Sequence, residues 1–454
     1  MKLKFFYVLS LFCMLFVACS DDEVDLVTQA EFVDIPCEGG TYEINIKIGA
    51  EWTATSLTDW CTVAEKSGYG ESVVHVSVEG NLREARVGNV VIYSEGQKQT
   101  VTFRQQGLDS EELTYKLPVI FHVIYNDPNN KSQNPPAEDI YQILDDVNKF
   151  YRNANGGNSQ DLNLEFVPAQ FDPNGNELEE PGIDRVKWVS ATLDATDVMN
   201  DQTNKYTHFL WEPNDYINIL LYNFSSSTSN ILGISTFPYT TKSHPLDGTE
   251  VLADMNITLE NLKYVRGVSI NSSYMYNSDD YLVSLGRVPE EWVELMNLQN
   301  KTYITIAHEL GHYLGLRHTF SENYGTFDDT DFCSDTKSYD KYGETGYDAQ
   351  VTTYMQLIAG SQEYASQFDW EKLFNRTDVN GDIFESHNIM DYAYSYLDEF
   401  TPQQKERVRH VLLYSPMIPG PKDTRDVLSR GGSISGPMDL PFTTSDGYPR
   451  RLFQ

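Results

Sequence analysis

The sequence predicts a multidomain chain: a small all-β sandwich followed by an α+β domain with a mixed sheet. Three observations carry this. Apolar and polar residues alternate with period two through residues 29–107, broken by Gly-containing turns. A short continuous apolar run, Leu117-Pro-Val-Ile-Phe-His-Val-Ile-Tyr125, suits a buried strand of a second sheet. Helical spacing then follows, above all in Ile304-Thr-Ile-Ala-His-Glu-Leu-Gly-His-Tyr-Leu-Gly315.

In the first unit, Tyr42, Ile44, Ile46 and Ile48 alternate with polar residues, as do Val74, Val76 and Val78, then Val101 and Phe103. Gly39-Gly40, Gly68 and Gly70 mark breaks. Trp52 and Trp60 are expected in the core of such a sandwich, and stacking on sugar rings is the alternative. Cys37 and Cys61 read as small buried hydrophobes rather than a bridge. Leu108 to Leu113 is the expected linker.

In the second unit, residues 114–420, Pro135-Pro136 precede Ile140, Ile143, Leu144, Val147 and Phe150, which have helical spacing. Leu162–Val167, Tyr216–Tyr222, Leu232–Pro238 and Gly267–Ile270 read as further strands. Near the end, Thr401 can cap a helix, with Pro402 at its first position and Gln404 closing a capping box. Residues 421–454 are Gly-, Ser- and Pro-rich and read as irregular.

The chemistry concentrates at His308, His312 and His318. His308 and His312 lie four apart and share one helix face. Gly315 tolerates the positive φ that ends a helix, so the chain can turn and return His318 as a third ligand. Three protein ligands with one open position is the pattern of a catalytic zinc ion. Glu309, beside His308, is placed to take a proton from water. His122, His208 and His244 lack ligand spacing and read as core histidines.

Beyond His318 come Asp328, Asp329, Asp331, Asp335 and Asp340, and then Asp378-Val-Asn380-Gly-Asp382. Oxygen ligands at places one, three and five resemble half a calcium loop. Ile383 stands where the sixth-place Gly is expected. Ca2+ at Asp378, Asn380 and Asp382 is one reading, and a solvated acidic loop is the other.

Net charge is -34, which repels phosphates and excludes a nucleic-acid partner. The five Cys do not make a disulfide scaffold. Lys2 and Lys4 precede an apolar run, Phe5 to Ala18, that reads as a signal peptide. Leu15-Phe-Val-Ala-Cys19 resembles a bacterial lipobox, although Phe16 stands where Leu is usual. That resemblance implies cleavage before Cys19, lipidation of its thiol and a membrane anchor. Residues 19–28 then form an acidic tether, whose Ser20-Asp-Asp-Glu23 resembles the surface-export signal of Bacteroidetes lipoproteins. The expected location is the outer membrane, exposed at the cell surface.

Two family resemblances follow. Gly39-Gly-Thr41, Trp52, Asp59-Trp-Cys-Thr-Val63, Asn81 with Arg86, and Thr102-Phe-Arg-Gln-Gln-Gly107 resemble the BACON domain. That family implies glycan or mucin contact through residues 29–107; a spacer is the plainer reading. The zinc motif, Asn388-Ile-Met-Asp-Tyr392 and Phe400-Thr-Pro-Gln403 resemble the pappalysins, also called cytophagalysins, a family of metzincins. This resemblance implies a zinc metalloendopeptidase acting on extracellular proteins or peptides. Met390 would form the apolar floor of the Met-turn, and Tyr392 would hydrogen-bond the oxyanion or the zinc. The competing function is an adhesin or glycan-binding lipoprotein built on a degenerate protease domain. Glu309 weighs against it, because a binding protein needs no general base.

Overall fold

The structure is a computed structural model that describes residues 32–37, 39–58, 60–81, 85–107, 114–154, 156–277, 279–392, 394–422, 435–445 and 448–449. The expected signal peptide, Cys19, the expected tether and the expected linker lie outside the described residues. The chain divides into two compact units, residues 1–108 and 109–454.

The first unit is a β-sandwich. Its strands are β1 (Phe32–Ile35), β2 (Gly40–Ile46), β3 (Glu51–Ser56), β4 (Cys61–Val63), β5 (Ser67–Tyr69), β6 (Ser72–Val78), β7 (Arg86–Ser94) and β8 (Gln97–Gln105). One sheet has the order β1-β8-β7-β3-β5, the other β2-β6-β4. The alternation does its work: Ile44, Ile46, Val74, Val76 and Val78 point inward with Trp52 and Phe103. Trp60 packs beside this core, with the Arg86 guanidinium 4.3 Å from its ring centre. Cys37 and Cys61 are both buried.

The second unit is a mixed α/β fold. It opens with β9 (Tyr115–Tyr125), α1 (Ala137–Tyr151), β10 (Leu164–Pro168), β11 (Ile183–Lys187) and α2 (Ala195–Asn200). Then come β12 (Ile217–Tyr222), β13 (Ile231–Ser235), β14 (Tyr239–Thr241), β15 (Glu250–Leu252) and β16 (Val268–Asn271). Helices α3 (Tyr281–Ser284), α4 (Glu290–Leu298), α5 (Thr302–Tyr313), α6 (Tyr347–Gly360) and α7 (Gln362–Gln367) follow. The hairpin β17 (Asn375–Thr377) and β18 (Ile383–Glu385) leads to α8 (Pro402–Tyr414) and β19 (Tyr448–Pro449).

The main sheet runs β10-β9-β12-β16-β13-β19, and β11 shares the β10 edge of β9. β9, β10, β11, β12 and β16 are parallel; β13 turns antiparallel to β16. The continuous apolar run of β9 is explained by this place, with strands on both sides and packing on both faces. α1 buries Ile140, Leu144, Val147 and Tyr151, and the Tyr151 hydroxyl donates to the Ala307 carbonyl of α5 at 2.9 Å. α8 begins as its sequence requires: Thr401 accepts from the Gln404 amide, and the Gln404 side chain accepts from the Thr401 amide. Where the composition suggests an irregular tail, residues 435–445 lie along the domain and Tyr448–Pro449 join the sheet. Backbone pairing with β13 orders a stretch whose own side chains carry no strand pattern. Among the described residues no helix is long and apolar enough to cross a membrane.

Candidate metal centre

α5 is buried almost throughout, so its histidines have no access to bulk water along most of the helix. It ends in a Schellman motif. The Leu316 amide donates to the Gly311 carbonyl, the Gly315 amide to that of His312, and Gly315 has φ +95°. This turn brings His318 back onto the face that carries His308 and His312. Arg407 of α8 braces it by donating to the Gly315 carbonyl.

The three imidazoles converge. His312 Nε2 lies 3.0 Å from His308 Nε2 and 3.1 Å from His318 Nε2. Each Nδ1 has an acceptor: the Ile389 carbonyl at 2.8 Å for His308, the Leu316 carbonyl at 2.8 Å for His312, and Glu322 Oε1 at 3.1 Å for His318. Such partners hold the proton on Nδ1 and turn the Nε2 lone pair inward. Burial lowers the His308 pKa to about 4. It lowers those of His312 and His318 well below the usual value too, helped by the neighbouring imidazoles. Three neutral nitrogen lone pairs facing one another repel, and a cation among them turns that repulsion into ligation. The donor set therefore fits a metal ion. Among the described residues this is the group of His, Cys, Asp and Glu side chains placed to hold one.

The remaining residues surround this trio. Glu309 is fully buried. Gly311, between the first two ligands, has no room for a side chain: a Cβ there would stand 2.4 Å from Met390 Sδ. Met390 thus lies directly against the helix beneath the ligands. The Tyr392 ring is 4.6 Å from that of His318 and 5.7 Å from that of His308. Lys341, buried and paired with Asp348, lies 5.2 Å from the Tyr392 ring centre, and burial lowers its pKa.

The turn carrying Met390 hangs on a buried ion pair. Asp391 and Arg376 meet at 3.1 Å. Asp391 also accepts from Tyr339 at 2.6 Å, from Ser386 and from its neighbour's amide, and Arg376 donates to the Leu373 and Tyr394 carbonyls. Asn388 adds two hydrogen bonds with the Gln404 side chain.

Residues 255–413 match the peptidase M43 family model, described as pregnancy-associated plasma protein-A. Residues 50–106 match the BACON model, described as a binding domain at the N-terminus. The match over residues 255–413 supports a metalloprotease. No curated protein matches it. Among solved structures, mature mirolysin of Tannerella forsythia in complex with a cleaved peptide is similar, at 22% identity and a TM-score of 0.41, over 65% of this chain and 90% of that one. Promirolysin of the same organism matches at 21% identity and 0.42, over 70% and 84%. A Bacteroides thetaiotaomicron protein solved by NMR matches at 14% identity and 0.16, over 20% and 94%.

The other expected sites lie apart from the metalloprotease centre. Asp378, Asn380 and Asp382 form the tip of the β17–β18 hairpin. Asp378 Oδ1 there accepts the Asn380 and Asp382 amides at 2.8 and 3.0 Å, as an Asx turn does. His122 is buried between Asp184 and Asn218, each at 2.9 Å. His208 stacks on Trp188 and His244 on Tyr414. Sequence reasoning misses Glu322, the Asp391–Arg376 pair and Lys341. Only Glu322 had a signal, an acidic residue four places beyond a ligand.

Proposed function

We propose that this metalloprotease hydrolyses peptide bonds of extracellular proteins with one zinc ion held by His308, His312 and His318. The convergence of the three Nε2 atoms carries this reading. When bound, zinc supplies a Lewis acid that polarises a carbonyl and acidifies water near neutral pH. Glu309 takes the water's proton as nucleophilic oxygen attacks the scissile carbonyl, then gives it to the leaving amine and returns to its charged form. Tyr392 donates a hydrogen bond to the developing oxyanion. Met390 packs beneath the imidazoles and keeps their geometry without reacting.

The test is casein and peptide hydrolysis with and without 1,10-phenanthroline, together with metal analysis. Glu309→Ala should retain the metal and lose about 10²–10⁴-fold in turnover. Cleavage by that variant at the wild-type rate would show that the base lies elsewhere. An adhesin would bind its target unaltered by the chelator and cut nothing.

The lipobox-like run ending at Cys19 supports attachment to the outer membrane, exposed at the surface. Labelling with a fatty-acid analogue, lost in Cys19→Ala, checks it. In the sandwich, an open groove of about 1040 Å³ has Tyr69 and Tyr93 exposed on it, which favours a glycan-contacting role beside that of a spacer. Mucin retention that survives Tyr69→Ala with Tyr93→Ala would leave the spacer reading alone.

A further inference from the structure

β13 runs against the centre. A Cβ on its Gly233 would stand 2.7 Å from Glu309 Cγ, so the strand passes flush with the proposed base. One edge of β13 pairs with β16. The other edge is where an extended peptide would add as a strand and bring its backbone to Glu309.

That edge is taken by the chain's own C-terminal segment. The Phe237 amide donates to the Thr443 carbonyl at 3.0 Å, Thr444 bridges Thr236, and the Ser445 amide donates to the Ser235 carbonyl at 2.8 Å. Tyr448 and Pro449 then pair antiparallel with Gly233 and Ile231. Upstream, Leu440 is buried in the core and Phe442 stacks on Tyr264 at 4.6 Å. The Ser445 hydroxyl donates to Glu309 Oε2 at 3.1 Å. A lone pair of the base is thereby engaged, in a water-poor setting where both groups are buried.

We infer that Thr443–Ser445 with Tyr448–Pro449 act as an autoinhibitory strap, lying in the position an extended peptide substrate must take. Hydrolysis requires the strap to leave β13, by displacement or by clipping ahead of Thr444. This inference rests on the hydrolase reading above. The strap is held by two kinds of contact with different duties. The apolar anchors up to Phe442 belong to the core, whereas Thr444 onward makes backbone bonds that a substrate strand can replace.

The experiment ends the chain after Thr443, which keeps the anchors and frees the edge. The kcat/KM for peptide cleavage should rise about tenfold or more over the full chain. A synthetic peptide of residues 437–454 should inhibit the shortened enzyme, and should bind its Glu309→Ala form in calorimetry but not the full-length Glu309→Ala chain. Ile231→Cys with Pro449→Cys, which are register partners, gives a second route that retains every residue of the tail. Oxidation should suppress cleavage and dithiothreitol restore it. Equal rates in the full, shortened, locked and unlocked forms would overturn the strap. Peptide binding by the shortened chain with no hydrolysis by any form would support the strap and sink the hydrolase reading.

Discussion

Glu322 Oε1 accepts from His318 Nδ1 at 3.1 Å, and Glu322 in turn lies 3.7 Å from Arg317. The outer partner of His318 is a carboxyl group, whereas His308 and His312 lean on carbonyls. A carboxylate there raises the donor strength of the imidazole and fixes its ring. Glu322→Ala should weaken metal affinity roughly 10–100-fold, with Glu322→Gln between the two. Competition against a chromogenic chelator measures this. Unchanged affinity in both variants would show that Glu322 only caps the loop.

Asp391 and Arg376 are both buried, and each has the other as its charge partner. Removing one strands the other charge away from water, which costs roughly 3–5 kcal/mol. Asp391→Ala should therefore lose about that much in a denaturant titration, and lose metal as the Met390 turn loosens. A variant melting like wild type would mean that the Arg376 bonds to carbonyls suffice.

Gly311→Ala pits two effects against each other. Ala favours a helix by about 1 kcal/mol. The added methyl would meet Met390 Sδ, and forced repacking of a full core costs about 1–3 kcal/mol. We expect a net loss and a lower metal occupancy. Met390→Val in the same chain should restore part of both, as read by thermal melts and metal content. A stabilised single variant would show that Met390 yields freely.

Asp331 is buried, and burial together with nearby Asp329 raises its pKa to about 7. The folded chain keeps this proton where an unfolded Asp has lost it, near pH 4. The stability held by the neutral form is full below about pH 4 and drains away as pH rises through about 7. Asp331→Asn keeps the neutral shape. It should match wild type at pH 4 and exceed it by about 4 kcal/mol at pH 8 in urea melts. Equal stability at both pH values would place the proton elsewhere.

The legible parts of the sequence were those with local causes. Spacing alone put His308 and His312 on one face, and Gly315 announced the turn that returns His318. Alternation gave the sandwich, and Thr401-Pro-Gln-Gln404 gave the start of α8. The rest depends on contacts between distant residues. Nothing near Asp391 names Arg376, because fifteen positions and a hairpin separate them. Nothing in Thr443-Thr-Ser445 names β13, because a strand added by backbone bonds needs no side-chain pattern. The half calcium loop admits two readings because an Asx turn and a calcium loop draw on the same residue types.

The bond from His308 Nδ1 to the Ile389 carbonyl joins positions 81 residues apart. Closing so long a loop adds little entropy cost beyond that of a shorter one, but contacts this distant form late in folding. A chain still leaving the ribosome can build α5 with two histidines on one face, yet has nothing to orient the first of them. The metal centre is therefore complete only once Ile389 has packed against α5 and fixed the ring of His308.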